Sequence, residues 1–429
     1  MSVLVVGMSH NSAPVAILEQ VARDVEGTIK LIREAFDNEH VVEATVLSTC
    51  NRIEVYAEVD RFHGSVEAIS RLILAPSNET DELLVPHLYV HYDDAAVSHL
   101  FHVASGLDSM VVGESQILGQ TREALRVGQE SGTVGPALNS LFQQALRVGK
   151  RAHAETDIDR SGPSLVASAL QEATDHLGRA TGLRALVVGA GAMASLSVAT
   201  LSRLDSASIA IANRTPQNAH RLAEQYGARV VALGDVPAEL GQVDIVISCT
   251  GATGVVLSVE SLRSARSGDD PLVVIDLALP RDVEPEVADE PHVRLINLAV
   301  LAADLEGAGD RPEVADVRVI VSQELSAFLA ARRSASVTPT VVALRTMATG
   351  VVEAELQRLA GRLPDLDEAA RVEIEHAVRR VADKLLHQPT VRVKELANET
   401  GAVSYATALA ELFALDPDAV DAVTRVEGV

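Results

Sequence analysis

The sequence predicts an α/β multidomain chain. It reads as an α+β first domain of split βαβ type, a Rossmann-type second domain, and an all-α third domain. Three observations carry this. Alternating or β-branched runs at 3–7, 41–47 and 53–59 are interleaved with helical patterns. A turn, Gly189-Ala190-Gly191-Ala192-Met193-Ala194, follows the apolar run 183–188 and opens a helix. Beyond residue 310 the apolar residues recur at helical spacing only. The domains are expected at 1–155, 156–308 and 309–429.

In the first domain, strand 3–7 runs into the polar loop Gly7-Met8-Ser9-His10-Asn11-Ser12-Ala13-Pro14, and helices are expected at 15–21 and 25–36. Two strands follow, separated by Ser48-Thr49-Cys50-Asn51-Arg52, and then a helix at 65–74. The polar junction carries a thiol with donors and a cation beside it, which favours a nucleophilic thiolate. The competing reading is a small inert hydrophobe in a core. Helices are expected next at 95–105, 115–130 and 137–154. Between the first two, the stretch 104–120 is dense in hydroxyl, carboxylate and amide groups, which can cap helices through Asp108 or Ser115, or line a pocket for a small polar substrate.

In the second domain the glycine turn lets a pyrophosphate approach the backbone at a helix N-terminus, with the helix expected at 195–204. Strand 208–212 ends in Asn213-Arg214-Thr215. An NAD-specific site would place an acid there; Arg214 and Thr215 instead suit a 2′-phosphate, which predicts NADPH. Strands at 244–251 and 272–278 complete the sheet edge, and Cys249 at one strand end reads as packing or a passive cofactor contact. In the third domain, helices are expected at 314–333, 341–363, 367–387 and 391–415, with a break at Val337-Thr338-Pro339-Thr340. Leu344, Met347, Val351, Val352, Leu356 and Leu359 form a stripe that suits a bundle or a dimer interface.

Composition bounds the function. Hydrophobic residues make up 47% of the chain and aromatics 3%, with no Trp, so the cores rest on Leu, Val, Ile and Ala. Two cysteines exclude a disulfide framework and a Cys-rich zinc site. His87, His91, His99 and His102 lack a ligand set of usual spacing, so no metal is expected. The N-terminus lacks the features of a signal peptide and no apolar run would span a bilayer, which predicts a cytoplasmic protein with no membrane partner. A net charge of −24 argues against a general nucleic-acid binder but leaves room for a local basic patch.

The ordered blocks are Gly7-Met8-Ser9-His10 with Ala13-Pro14, the Cys50 block through Tyr56, 103–120, Lys150-Arg151, Glu155-Thr156-Asp157-Ile158, the Gly189 turn, Ala212 to Thr215, 275–282 and His387-Gln388-Pro389-Thr390. Together they resemble the glutamyl-tRNA reductase family over nearly the whole chain. The resemblance implies NADPH-dependent reduction of glutamyl-tRNA(Glu) to glutamate-1-semialdehyde, in the tetrapyrrole pathway, through a thioester on Cys50. It implies that Thr49, Asn51, Arg52, Ser109, Glu114, Ser115, Gln116 and Gln120 hold the glutamate moiety, Arg52 at its carboxylate and Glu114 at its ammonium. His99 would tune the thiol or handle a proton, or else simply pack on its helix face. Gly189, Ala190, Gly191, Ala192, Met193, Ala194, Asn213, Arg214 and Thr215 would hold the cofactor.

The resemblance also implies a homodimer with a long helix joining the helical dimerisation domain to the rest, and a complex with the aminomutase that takes the aldehyde is a further expected partner. Against the family pattern, Leu18 stands where an arginine is usual before Glu19. Arg147, Lys150 and Arg151, with Arg160 beyond, are the candidate phosphate contacts; a merely solvated helix face is the alternative. Two other functions remain: a shikimate-dehydrogenase-like oxidoreductase on a free metabolite, which needs no cysteine, and a non-catalytic tRNA- or haem-binding regulator.

Overall fold

The computed structural model describes residues 2–77, 79–114, 116–156, 158, 165–204, 207–250, 254–266, 268–305, 312–396, 410, 412 and 413. It forms two compact units, Met1–Ser322 and Gln323–Val429.

The first unit begins with β1 (Ser2–Ser9), α1 (Val15–Val21), α2 (Val25–Phe36), β2 (Val41–Ser48), β3 (Arg52–Val59), α3 (Phe62–Leu74), the short α4 (Asp81–Leu84) and β4 (Tyr89–Tyr92). The strands pair antiparallel in the order β2-β3-β1-β4, with β3 inserted between β1 and β2, which is the split βαβ arrangement. Sequence reading finds the first three strands and not β4, whose four residues give too short an alternation. The Asp24 carboxylate caps α2 by accepting from Gly27 N at 2.8 Å. Leu18, at the departure from the family pattern, is 1% exposed in the core under β1–β3, a burial that contributes about 1.5–3 kcal/mol.

The other face of this sheet is covered by α5 (Asp94–Ala104), α6 (Gln116–Glu130) and α7 (Pro136–Glu155). Tyr56 and Phe142 meet edge to face there at 5.2 Å. Every residue of β3 is therefore buried.

The chain continues through α8 (Leu165–Leu177), β5 (Arg184–Val188), α9 (Ala192–Leu201), β6 (Ser208–Ala212), α10 (Pro216–Tyr226), β7 (Arg229–Val231), α11 (Val236–Leu240), β8 (Ile245–Ser248), α12 (Val259–Ala265), β9 (Leu272–Asp276), β10 (Val293–Asn297) and α13 (Leu298–Leu305). Six parallel strands in the order β10-β9-β8-β5-β6-β7 give a doubly wound sheet whose order reverses between β5 and β8. Ligands of such sheets bind at that reversal, outside the carboxyl ends of the strands. Apolar clusters lie on both faces. Helix α9 starts at Ala192, three residues before the expected start, so Ala192, Met193 and Ala194 form its first turn and direct free backbone N–H groups outward.

Helix α14 (Pro312–Arg362) begins in the first unit, and α15 (Glu368–Leu396) lies wholly in the second. The break expected at Pro339 does not occur: α14 runs through it, as α15 runs through Pro389. A proline costs a helix one backbone hydrogen bond and crowds the preceding turn, and here packing outweighs that. Val337, Val341 and Leu344 around Pro339 are buried together, with Met347 and Leu386 packed against them. The Thr390 hydroxyl beside Pro389 donates to the Leu386 carbonyl at 2.8 Å. The helix expected at 391–415 is the end of α15 as far as Leu396, and the rest lies largely outside the described residues. No helix among the described residues is long and apolar enough to cross a membrane.

Candidate active site

The β2–β3 turn carries the thiol. Thr49 N donates to the Arg52 carbonyl at 2.9 Å, Asn51 N donates to Thr49 Oγ1 at 3.0 Å, and His10 N donates to the Asn51 carbonyl at 2.9 Å. Cys50 is thereby fixed at the tip of a hairpin, half-buried, and packed against the apolar cluster of the dinucleotide-type sheet. Met110 and Val111 from the polar loop of the first domain are buried in that same cluster, so the two domains share one core.

A cavity of about 550 Å³ opens at this junction. Thr49 and Cys50 line it from the hairpin, Gln116 and Gln120 from α6, Gly191, Ala192 and Met193 from the glycine turn, and Cys249 and Thr250 from the end of β8. A small recess of about 20 Å³ adjoins it, lined by Thr49, Cys50, Asn51, Arg52, Ser109, Glu114, Gln116 and Gln120 among others. Seven of the eight expected glutamate-binding residues thus meet around Cys50; the eighth, Ser115, lies outside the described residues. Asn51 Oδ1, Glu114 Oε1 and Gln116 Nε2 are buried there with no partner among the described residues. Orphaned polar atoms converging on one recess suit a polar ligand.

The electrostatics correct the expected thiolate. Burial pushes the Cys50 thiol up to about 12, and the Glu114 carboxylate adds to this; the turn backbone and Arg52 pull the other way more weakly. Glu114 is itself raised by burial to about 7. Arg52 has little effect because its charge is already matched. Its Nη1 donates to Glu54 Oε1 at 2.7 Å and lies 3.5 Å from an Asp108 carboxylate oxygen, while Nη2 donates to the Asp108 carbonyl. Asp108 is therefore an anchor for Arg52, not a helix cap.

His99 stands apart from the thiol. Its Nε2 donates to Glu54 Oε1 at 2.8 Å and its ring stacks on His91 at 4.4 Å, and it lines neither the cavity nor the recess. The other two histidines of that stretch donate to carbonyls at 2.8 Å, His87 Nδ1 to Ser12 and His102 Nδ1 to Ser98.

Sequence reasoning missed the Glu54 network and the contributions of Arg23, Asp24 and Thr28 at the start of α2 and of Leu277, Ala278 and Leu279 after β9. Two buried carboxylates set that last segment. Asp276 accepts from the backbone N–H of Ala278, Asp282 and Val283, each at 3.0 Å, and Asp282 accepts from Ser248 Oγ, Thr250 N and Thr250 Oγ1 at 2.7–2.8 Å. Arg281 reaches back to Glu19 on α1, Nε to Oε2 at 2.9 Å, and ties the two domains beside the cavity.

The dinucleotide turn passes a test of fit. Gly189 has φ +127°, and a Cβ there would sit 2.7 Å from the Cys249 carbonyl oxygen, so only glycine lets the turn pass the end of β8. Gly191 faces open space. At the end of β6, Arg214 and Thr215 are exposed, and Asn213 Nδ2 donates to the Thr215 carbonyl at 3.0 Å. Gly189→Ala is expected to weaken nicotinamide-dinucleotide binding at least tenfold, read by fluorescence titration. An unchanged dissociation constant would mean that this turn does not bind the cofactor.

A thiol and a dinucleotide turn on one cavity, with a doubly wound sheet supplying the turn, define an oxidoreductase with a nicotinamide-binding domain. Family models match as glutamyl-tRNAGlu reductase N-terminal domain over 6–156, shikimate/quinate 5-dehydrogenase over 171–303 and glutamyl-tRNAGlu reductase dimerisation domain over 316–415. Glutamyl-tRNA reductase 1 of Nocardioides sp. is 63% identical over 429 residues, covering 100% of both chains. The glutamyl-tRNA reductase of Kineococcus radiotolerans is 50% identical over 418 residues, 97% of this chain and 94% of its own. The solved glutamyl-tRNA reductase of Methanopyrus kandleri aligns over 96% of this chain and 99% of its own at 29% identity, with a TM-score of 0.45. The chain belongs to the glutamyl-tRNA reductase family.

Proposed function

We propose that the chain reduces glutamyl-tRNA(Glu) to glutamate-1-semialdehyde with NADPH, releasing tRNA, as the first committed step of tetrapyrrole synthesis by the C5 route. The observation that carries the reading is that Cys50 and the Gly191–Met193 turn line one cavity. In this reading the Cys50 sulfur attacks the ester carbonyl, a C–S bond forms, the C–O bond to the ribose breaks, and the thiol proton ends on the released hydroxyl. Glu114 takes the α-ammonium of the substrate. That neutralises the carboxylate which adds to burial in holding the thiol protonated, so substrate binding removes the second of the two effects that oppose the thiolate. Thr49, Asn51, Ser109, Gln116 and Gln120, with Ser115, orient the glutamyl group, and Arg52, held by Glu54 and Asp108, fixes the wall of the recess on the side of the substrate carboxylate.

The residues that would hold NADPH are Gly189 to Ala194, with Asn213, Arg214 and Thr215 at the 2′-phosphate, where the strand end carries no acid. NADPH supplies the hydride that takes the acyl group to the aldehyde. His99 acts through Glu54 in this scheme and does not touch the reacting atoms. The third domain makes the enzyme a homodimer, the setting is cytoplasmic, and transfer of the aldehyde to the aminomutase within a complex belongs to the same reading.

Single turnover with glutamyl-tRNA labelled in the glutamate tests the scheme. Label is expected to become protein-bound without NADPH and to leave as aldehyde when NADPH is added. Label that stays on tRNA until NADPH arrives would sink the covalent step. The second domain alone would also suit an oxidoreductase acting on a free metabolite, but such an enzyme has no use for a thiol set opposite the turn.

A further inference from the structure

The chain carries a net charge of −24, so its surface as a whole repels a polyanion, and any phosphate contact must be local. One groove on the first domain breaks the pattern. It lies between α6 and α7, has a volume of about 450 Å³, and is lined by Arg122, Leu125, Arg126 and Gln129 from one helix and Gln143, Leu146, Arg147 and Lys150 from the other. Both sets follow the spacing i, i+3, i+4, i+7, so each is a single helix face. Leu125 and Leu146 are buried and form the floor, while the four cations and two amides are exposed along the walls.

The ion pairs sort the cations. Arg126 is held between Glu123 and Glu130. Arg151, expected from the sequence to be a phosphate contact, pairs with Glu155 at 2.8 Å and is not among the groove residues, and Arg160 lies outside the described residues. Arg122, Arg147 and Lys150 have no carboxylate partner among the described residues. Three unpaired cations around a shallow polar trough present the charge and the donors that phosphodiester oxygens take.

Its place in the fold links it to the chemistry. Gln116 and Gln120, on the first turns of α6, line the recess at Cys50, whereas Arg122 and Arg126, just beyond, face the groove. The helix is thus the wall between the two, about 10–12 Å through. A substrate whose ester lies at Cys50 and whose chain leaves around α6 meets the groove within a few nucleotides.

We propose that the α6–α7 groove binds the phosphodiester backbone of the acceptor end of the substrate tRNA, with Arg122, Arg147 and Lys150 as the phosphate contacts. This rests on the reading of the enzyme as acting on glutamyl-tRNA. The test compares the full-length protein with the Arg122→Glu/Arg147→Glu/Lys150→Glu variant, measuring tRNA binding over a series of potassium chloride concentrations. The variant is expected to lose 10- to 100-fold in affinity at low salt. The slope of log affinity against log salt is expected to fall in magnitude by about two to three, one contact for each charge removed. Acylation of Cys50 by a small activated glutamyl thioester without nucleic acid is expected to stay within twofold, which also shows that the variant folds. Arg122→Lys/Arg147→Lys, which keeps the charges, is expected to retain most of the affinity and the slope. If wild type binds and reduces glutamyl-tRNA while the reversed variant matches it in affinity and slope, the groove assignment is overturned and the enzymatic reading stands. If wild type neither binds nor reduces glutamyl-tRNA, both fall.

Discussion

Cys50→Ser is expected to bind NADPH as wild type does and to reduce glutamyl-tRNA at least about 10³-fold more slowly, with no protein-bound glutamate at any time. The hairpin turn is held by backbone and by Thr49 and does not need the sulfur, so the variant keeps its fold. What it loses is the thiol of the recess, and a serine hydroxyl lacks the accessible anion of a thiol. The resting thiol is itself poorly ionised, since burial and then Glu114 push it up to about 12. Alkylation of free wild type by iodoacetamide should therefore keep rising with pH well above neutrality, where an ordinary exposed cysteine has already levelled off. Residual turnover within tenfold of wild type, or label on the protein in the variant, would move the nucleophile elsewhere. Cys249 is the obvious alternative, being on the same cavity, but burial and the neighbouring Asp282 and Asp276 push it up as well and hold it as a thiol.

The thiol hairpin and the dinucleotide turn were legible because their signals are local. Strand periodicity flanks Cys50 on both sides, and the glycine turn sits between a buried strand and a helix. The recess was readable for a different reason: Ser109, Glu114, Gln116 and Gln120 lie in one dense polar stretch that packing alone does not require. What could not be read was anything set by contacts remote in sequence. Glu19 and Arg281 are 262 residues apart, and neither looks unusual where it stands. Pro339 and Pro389 misled because their local cost is visible in the sequence and the burial that offsets it is not. The Cys50 thiol stays protonated for the same reason, since burial and then Glu114, 64 residues away in sequence, outweigh the cation two residues along.

Glu54 shows this most fully, and its replacement should have the largest effect on stability. In β3 it alternates with apolar neighbours, the pattern of a residue pointing to solvent, but α5–α7 cover that face and leave it 0% exposed. It accepts from Arg52 Nη1 at 2.7 Å, Tyr56 OH at 2.6 Å and His99 Nε2 at 2.8 Å, and also from Tyr89 OH. Gly7 lies opposite in the register, and a Cβ there would come within 2.7 Å of Glu54 Cγ, so the backbone itself makes room for this side chain. Burial alone would raise the carboxyl; Arg52 and His99 overcome it and hold the group well below the ordinary carboxylate range. Its folded value is depressed, so the stability it contributes is present at neutral pH and is lost only as the pH falls below about 4, the ordinary range of a carboxylate.

Glu54→Gln removes the charge, leaves buried Arg52 to the more distant Asp108 carboxylate at 3.5 Å, and turns an NH₂ group toward a ring of donors. A loss of about 3–5 kcal/mol is expected, seen as a lower urea midpoint. Arg52 also clamps Asp108, in the loop that carries Ser109 and Glu114 to the recess, so the reduction rate should fall together with the thioester yield. Affinity for a nicotinamide cofactor, proposed for the glycine turn on the other side of the cavity, should not change. A midpoint shift equivalent to less than about 1 kcal/mol would show that the network tolerates a neutral centre. In that case Arg52, not Glu54, is what holds the recess in shape.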